Sequence, residues 1–83
     1  MAVEVIMPRM EMDQDSAGLL QWFKEPGDRV VAGEPLMEIE TDKVTVQIEA
    51  TADGVLADVR FAAGDEVPVG VVVARILQGD EIS

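Results

Sequence analysis

The amines of Lys24 and Lys43 and 17 carboxylates carry most of the reactive chemistry available to this chain. Histidine, cysteine and tyrosine are absent, which removes the usual general base, the thiolate nucleophile and most metal ligands. Two carboxylates could act as acid and base, as they do in glycosidases. However, 83 residues leave little room for a substrate cleft. The composition therefore disfavours an independent enzyme.

Two other candidate sites fail, a calcium loop on its residue spacing and a Schiff-base lysine on its expected exposure. Residues 13–18 resemble the start of a calcium loop, but the fifth position is Ala17 and the twelfth is Lys24, where a bidentate glutamate is needed. Lys24 could form a Schiff base only in a desolvated pocket. It adjoins the turn residues Pro26 and Gly27, so we expect it to be exposed.

Lys43 lies at the centre of residues 36–49, where apolar and polar side chains alternate on both sides of Asp42-Lys43. Folding the chain at this dipeptide places apolar residues opposite apolar ones, and a slip of one residue would reverse the faces. Asp-Lys does not favour the positive φ of the commonest two-residue loops, so we predict a type I turn with Lys43 at its exposed apex. The predicted pairs are Met37 with Ile48, Glu38 with Gln47, Ile39 with Val46, Glu40 with Thr45, and Thr41 with Val44.

The segment Glu40-Thr41-Asp42-Lys43-Val44 resembles the lipoyl-attachment site of lipoyl domains, and the resemblance extends over residues 3–77. It implies that Lys43 carries lipoic acid in amide linkage. Asp42 and Val44 would be the flanks that a lipoate-attaching ligase reads. Glu40 and Thr41 match the motif and would be mainly structural.

The resemblance also implies a surface loop over residues 10–17, near the lysine, that helps the decarboxylase component choose its own domain. This chain lacks the glycine that many relatives carry in residues 11–13. Met7-Pro8-x-Met10 is similar to pyruvate- and acetoin-type members. The motif leaves the 2-oxo acid undetermined.

The function implied by the resemblance is that of a carrier in a 2-oxo acid or acetoin dehydrogenase complex. Lipoylated Lys43 would act as a swinging arm between a thiamine-diphosphate-dependent decarboxylase, an acyltransferase core and dihydrolipoamide dehydrogenase. The parent chain would be a dihydrolipoamide acyltransferase, cytoplasmic in a bacterium or in an organelle matrix in a eukaryote. Residues 1–79 would form a monomeric, non-catalytic carrier domain, and residues 80–83 would begin a linker or tail.

Two alternatives come from other classes of protein. Biotinyl carrier domains share the expected fold, but their lysine lies between methionines, where this chain has Asp42 and Val44. The other alternative is an unmodified acidic interaction domain in which Lys43 is only a surface charge. A net charge of −11 suits a basic protein partner and disfavours nucleic acid and membrane as partners.

An internal repeat predicts the fold. Gly27-Asp28-x-Val30-x-x-Gly33 recurs 37 residues later (64 − 27), and Gly18 maps onto Gly54 with a one-residue slip. Two halves of about four strands each predict an all-β flattened barrel or sandwich of two antiparallel four-stranded sheets, a barrel-sandwich hybrid with pseudo-twofold symmetry. The lysine turn would then lie opposite the paired termini. Trp22 should anchor the core and Met10 and Met12 should fill gaps in it; the other strand candidates are residues 3–7, 18–23, 29–31, 55–61, 66–68 and 71–77.

Overall fold

The computed structural model describes residues 2–79, and residues 80–83, where a linker or tail was predicted, lie outside that range. Within it the chain forms eight strands and no helix. No helix of this part of the chain is long and apolar enough to span a membrane. The strands are β1 Ala2–Ile6, β2 Ser16–Trp22, β3 Arg29–Val30, β4 Pro35–Glu40, β5 Thr45–Glu49, β6 Gly54–Ala57, β7 Glu66–Pro68 and β8 Val72–Leu77.

The strands form two antiparallel four-stranded sheets, ordered β1-β8-β6-β3 and β5-β4-β2-β7. This confirms the predicted all-β architecture, although the sheets are not closed into a barrel. A sandwich of this kind buries one face of each sheet against the other. The core contains side chains from both sheets: Val5, Val30, Leu56, Val73, Ala74 and Ile76 from one, and Ala17, Leu19, Leu36, Met37, Ile39 and Val67 from the other.

The predicted pseudo-twofold symmetry is visible in the strand order. Exchanging β1–β4 with β5–β8 converts the order of the first sheet into that of the second. Ala2 pairs with Leu77, so the two ends of the described chain lie together. The same exchange maps Ala2 onto Thr45 and Leu77 onto Glu40. Glu40 and Thr45 are the last pair of the hairpin formed by β4 and β5, next to the turn that contains Lys43.

The repeat extends to individual hydrogen bonds. Gly27 donates its N–H to the Leu56 carbonyl oxygen at 2.8 Å, and Gly64 donates to that of Leu19 at 2.8 Å. Both glycines have a φ of 97°, a conformation that costs glycine little and other residues more. The Gly-Asp motif therefore forms the same turn at both of its positions in the chain.

Gly18 and Gly54 are not equivalent, which corrects the predicted alignment. Leu19 and Leu56 occupy matching positions in the repeated turn. Ala17 therefore corresponds to Gly54, as their pairing with Val67 and Val30 also indicates. A Cβ at Gly54 would collide with the Leu77 carbonyl oxygen, so close packing rather than the repeat requires this glycine.

Several local predictions were wrong. Strand β6 ends at Ala57, not at residue 61, because Asp58 adopts a φ of 54° and leaves the extended conformation. Met12 is 92% exposed and does not fill the core. Trp22 does pack against the core, and its indole N–H donates to the Phe61 carbonyl oxygen at 2.9 Å.

Candidate functional site

The lysine hairpin consists of β4 and β5 in the predicted register. Met37 pairs with Ile48, Glu38 with Gln47, Ile39 with Val46 and Glu40 with Thr45. A hydrogen bond of 2.8 Å from the Thr41 N–H to the Val44 carbonyl oxygen closes the loop. Asp42 and Lys43 are therefore the two residues of the turn, as the alternation predicted.

Thr41 determines the shape of this turn. Its hydroxyl oxygen accepts hydrogen bonds from the backbone N–H groups of Lys43 at 3.3 Å and Val44 at 3.2 Å. A threonine hydroxyl can replace a backbone carbonyl in such a turn. Neither Asp42 nor Lys43 has a positive φ, which excludes the primed turn types and is consistent with the predicted type I turn.

The side chain of Lys43 is 79% exposed at the tip. Its ammonium nitrogen lies 3.7 Å from Oε2 of Glu11, which belongs to the loop between β1 and β2. That loop therefore lies beside the lysine, where the resemblance placed it. An ion pair this exposed contributes little to stability and leaves the amine within reach of an enzyme.

An open cleft of about 620 Å³ is lined by this loop, the start of β2, the hairpin tip and residues 64–66. Lys43 is the cation in its lining, and the other charged groups there are carboxylates. Among residues 2–79 no group of three or more acidic side chains could hold a metal ion. The cleft instead produces a negative field around the lysine, from Glu11, Asp13, Asp15, Glu40, Asp42, Asp65 and Glu66.

The two lysines differ in how accessible they and their neighbours are. Asp42 is exposed and Val44 is 47% exposed, so both flanks are accessible. Lys24 is less exposed than predicted, because its side chain retains only 27% of its accessible surface and its ammonium lies 3.5 Å from Oε2 of Glu34. The two amines are therefore distinguishable by exposure.

Gln14 is a site residue that the sequence did not single out. It is the one buried polar side chain among residues 2–79, with 7% exposure. Its carboxamide binds backbone groups of the loop that carries Glu11. A glutamine in an irregular acidic loop gives no periodic signal in the sequence.

Comparison with known proteins supports the same interpretation as the geometry. The biotin/lipoyl family model, described as "Biotin-requiring enzyme", matches residues 3–76. The chain belongs to the biotin/lipoyl attachment family. A solved lipoyl domain, from the 2-oxoglutarate dehydrogenase complex of Azotobacter vinelandii, superposes with a TM-score of 0.79 and 31% identity, over 93% of this chain and 98% of that domain. The predicted resemblance to a lipoyl domain is confirmed.

Curated members of the biotin/lipoyl attachment family place the domain in larger proteins. The succinyltransferase component of the Bacillus subtilis 2-oxoglutarate dehydrogenase complex is 41% identical over 92% of this chain. The acetyltransferase component of the acetoin cleaving system of that organism is 36% identical over 98% of the chain. The pyruvate dehydrogenase E1 component subunit beta of Rhizobium meliloti is 39% identical over 98%. The chain spans about a fifth of the length of these relatives, from 18% to 20%.

Proposed function

We propose that Lys43 is the attachment residue for lipoic acid and that this biotin/lipoyl-family domain works as an acyl carrier. The observation that carries the proposal is the position of Lys43, 79% exposed at the apex of a closed two-residue turn. Its flanks Asp42 and Val44 match the lipoyl motif rather than the methionine flanks of biotinyl domains.

The residues around Lys43 fit such a group. Thr41 fixes the backbone of the turn, and the ladder between β4 and β5 holds the turn on the core. The amine is accessible for amide formation. A bound lipoyl group would supply a dithiolane that accepts an acyl group and reducing equivalents. The chain would supply a stiff base from which the arm reaches successive active sites at high effective concentration.

We further propose that the partners are those of a 2-oxo acid or acetoin dehydrogenase complex. The named relatives belong to pyruvate, 2-oxoglutarate and acetoin systems, which supports the complex type but does not select one oxo acid. The negative cleft beside Lys43 favours partners with a basic surface around their active-site entrance. On this proposal the domain presents a substrate and the partner enzymes catalyse the reactions.

The first prediction concerns the attachment itself. Incubation with a lipoate ligase, ATP and lipoate should add one lipoyl group to the peptide that contains Lys43, as measured by intact mass and peptide mapping. Lys43→Gln should fold normally and accept none. Lys24→Gln is the matched control and should be modified like the wild type, because Lys24 lies away from the turn, paired with Glu34.

The same assay tests the alternatives. Modification of Lys24 in place of Lys43 would contradict the assignment of the site. Modification by a biotin ligase but not by a lipoate ligase would support the biotinyl alternative. A folded wild-type sample that accepts neither group would support the unmodified interaction domain.

A further inference from the structure

Gln14 holds the loop between β1 and β2 through backbone groups. Its Oε1 accepts hydrogen bonds from the N–H groups of Met10 at 2.7 Å and Glu11 at 3.1 Å. Its Nε2 donates to the Ser16 carbonyl oxygen, at the start of β2, at 3.2 Å. One side chain therefore ties the middle of the loop to the start of β2.

Backbone bonds hold the two ends of the loop: the Met7 N–H donates to the Val71 carbonyl oxygen at 3.0 Å, and the Val69 N–H donates to that of Asp15 at 3.0 Å. Between these ends the Gln14 N–H donates to the Glu11 carbonyl oxygen at 3.2 Å, a bond that stays within the loop. Met10 is 41% exposed and Met12 is 92% exposed, so neither packs the loop onto the core. Arg9 donates to the Met12 carbonyl oxygen at 3.0 Å, but this bond is exposed and stays within the loop. Because a buried amide with three bonds is costly to unpair, the Gln14 side chain holds the path of the loop at Met10 and Glu11.

That path determines where Glu11 lies. Gln14 binds the backbone N–H of Glu11, and the Glu11 carboxylate reaches the Lys43 ammonium at 3.7 Å. Glu40 and Asp42 also line the cleft and could pair with the same ammonium. The pairing with Glu11 therefore depends on a loop that Gln14 positions, and not on the hairpin alone.

We propose that Gln14 is a positioning residue for Lys43: it holds Glu11 beside the amine and thereby sets the direction in which the lysine side chain leaves the tip. The consequence for attachment rests on the proposed function, because it concerns the docking of Lys43 into a lipoate-attaching enzyme. The link between Gln14 and Lys43 itself is physical and can be measured on the unmodified domain.

Backbone amide spectra of the 15N-labelled, unmodified domain test this link. Gln14→Ala and Glu11→Gln should shift the Asp42 and Lys43 signals in the same direction. Gln21→Ala is the matched control, because Gln21 is also hydrogen-bonded to a glutamate: its Nε2 donates to Oε1 of Glu38 at 3.0 Å, between two strands and away from the loop. It should leave both signals in place.

Lipoate attachment gives the second readout. The KM for the domain should rise about two- to fivefold in Gln14→Ala and in Glu11→Gln, the range of an exposed ion pair, with kcat unchanged. The double variant should be no worse than either single one, because both remove the same contact.

The outcomes separate the two proposals. If the wild type accepts no lipoyl group, the proposed function is wrong, and the spectra still decide the link between Gln14 and Lys43. Unchanged Lys43 signals in a folded Gln14→Ala domain would overturn the link. If that variant does not fold, Glu11→Gln tests the contact between Glu11 and Lys43 on which the link depends, since it leaves the loop's backbone bonds intact, and unchanged Lys43 signals there would overturn the link.

Discussion

The hydroxyl of Thr41 compensates for the missing glycine in the lysine turn. Two-residue hairpin loops commonly use Asn-Gly or Asp-Gly because both residues then adopt a positive φ. Asp42 and Lys43 do not adopt it, and the Thr41 oxygen accepts the N–H groups of Lys43 and Val44 instead. This arrangement allows a lysine to stand at the apex without backbone strain.

Thr41→Val should therefore loosen the turn while keeping the shape of the side chain. We expect the free energy of unfolding to fall by about 0.5–1.5 kcal/mol and the KM for lipoate attachment to rise. Urea denaturation and attachment kinetics measure the two effects. Thr45→Val, an exposed threonine on β5, is the control. Equal effects of both substitutions would argue against a special role for Thr41.

At this scale the sequence predicted the position of Lys43 and, through the resemblance, the loop beside it, but not the contacts within that loop. Alternation around Asp42-Lys43 was sufficient to place the turn, because period-two patterns determine strand register. Gln14 was missed because its partners are backbone groups, whose positions no residue type encodes. Met10 and Met12 were misplaced because the exposure of a methionine depends on the path of its loop.

The β4–β5 hairpin combines a buried strand with an edge strand. Leu36, Met37 and Ile39 of β4 have no exposed surface. Val46 and Ile48 of β5 are only partly buried, since β5 lies at the edge of its sheet. The tip is therefore attached to the core mainly through β4, which also pairs with β2.

Ile39→Asp should unfold the domain. The carboxylate would replace a side chain with 0% exposure and would have no partner in an apolar core. We expect the free energy of unfolding to fall by about 4 kcal/mol or more. Circular dichroism during thermal unfolding measures it. Val44→Asp is the control, since Val44 is 47% exposed on the same hairpin, and it should cost less than about 1 kcal/mol. Similar melting curves for Ile39→Asp and the wild type would refute the register.

Strand ends were less predictable than strand register. Residues 55–61 alternate like a strand, yet β6 ends at Ala57 because Asp58 takes a left-handed conformation. Aspartate tolerates that conformation better than most residues. Most aspartates nevertheless do not adopt it, so the residue type alone does not predict the end of the strand. The tertiary structure explains why Asp58 adopts it here: after this residue the Arg60 N–H donates to the Val73 carbonyl oxygen at 2.9 Å.

The whole molecule is two copies of one four-strand unit. The spacing of the Gly-Asp turns predicted this, because each copy needs the same reversal after its second strand. Equating Gly18 with Gly54 was wrong by one residue, because two glycines in matching regions need not share a cause. Gly54 makes room for β8, whereas Gly18 has only the Glu40 carbonyl oxygen, at 3.8 Å, near a hypothetical Cβ.

Gly54→Ala should therefore destabilise the sandwich and Gly18→Ala should not. The new methyl group at position 54 would overlap the Leu77 carbonyl oxygen and lie 2.7 Å from Cγ2 of Ile76. We expect Gly54→Ala to lower the free energy of unfolding by about 2–3 kcal/mol. Gly18→Ala should change the free energy of unfolding by less than about 1 kcal/mol. Urea denaturation measures both variants. The opposite order of stabilities would contradict the packing account.

The pairing of Ala2 with Leu77 has a consequence for the order of the chain. A short turn could join these two strands, and the backbone could be opened between Asp42 and Lys43 instead. The exchange of β1–β4 with β5–β8 converts such a circular permutant into the original topology. The sandwich therefore has two interchangeable ends, and a lysine-bearing turn built at the second would sit on the same architecture as the first.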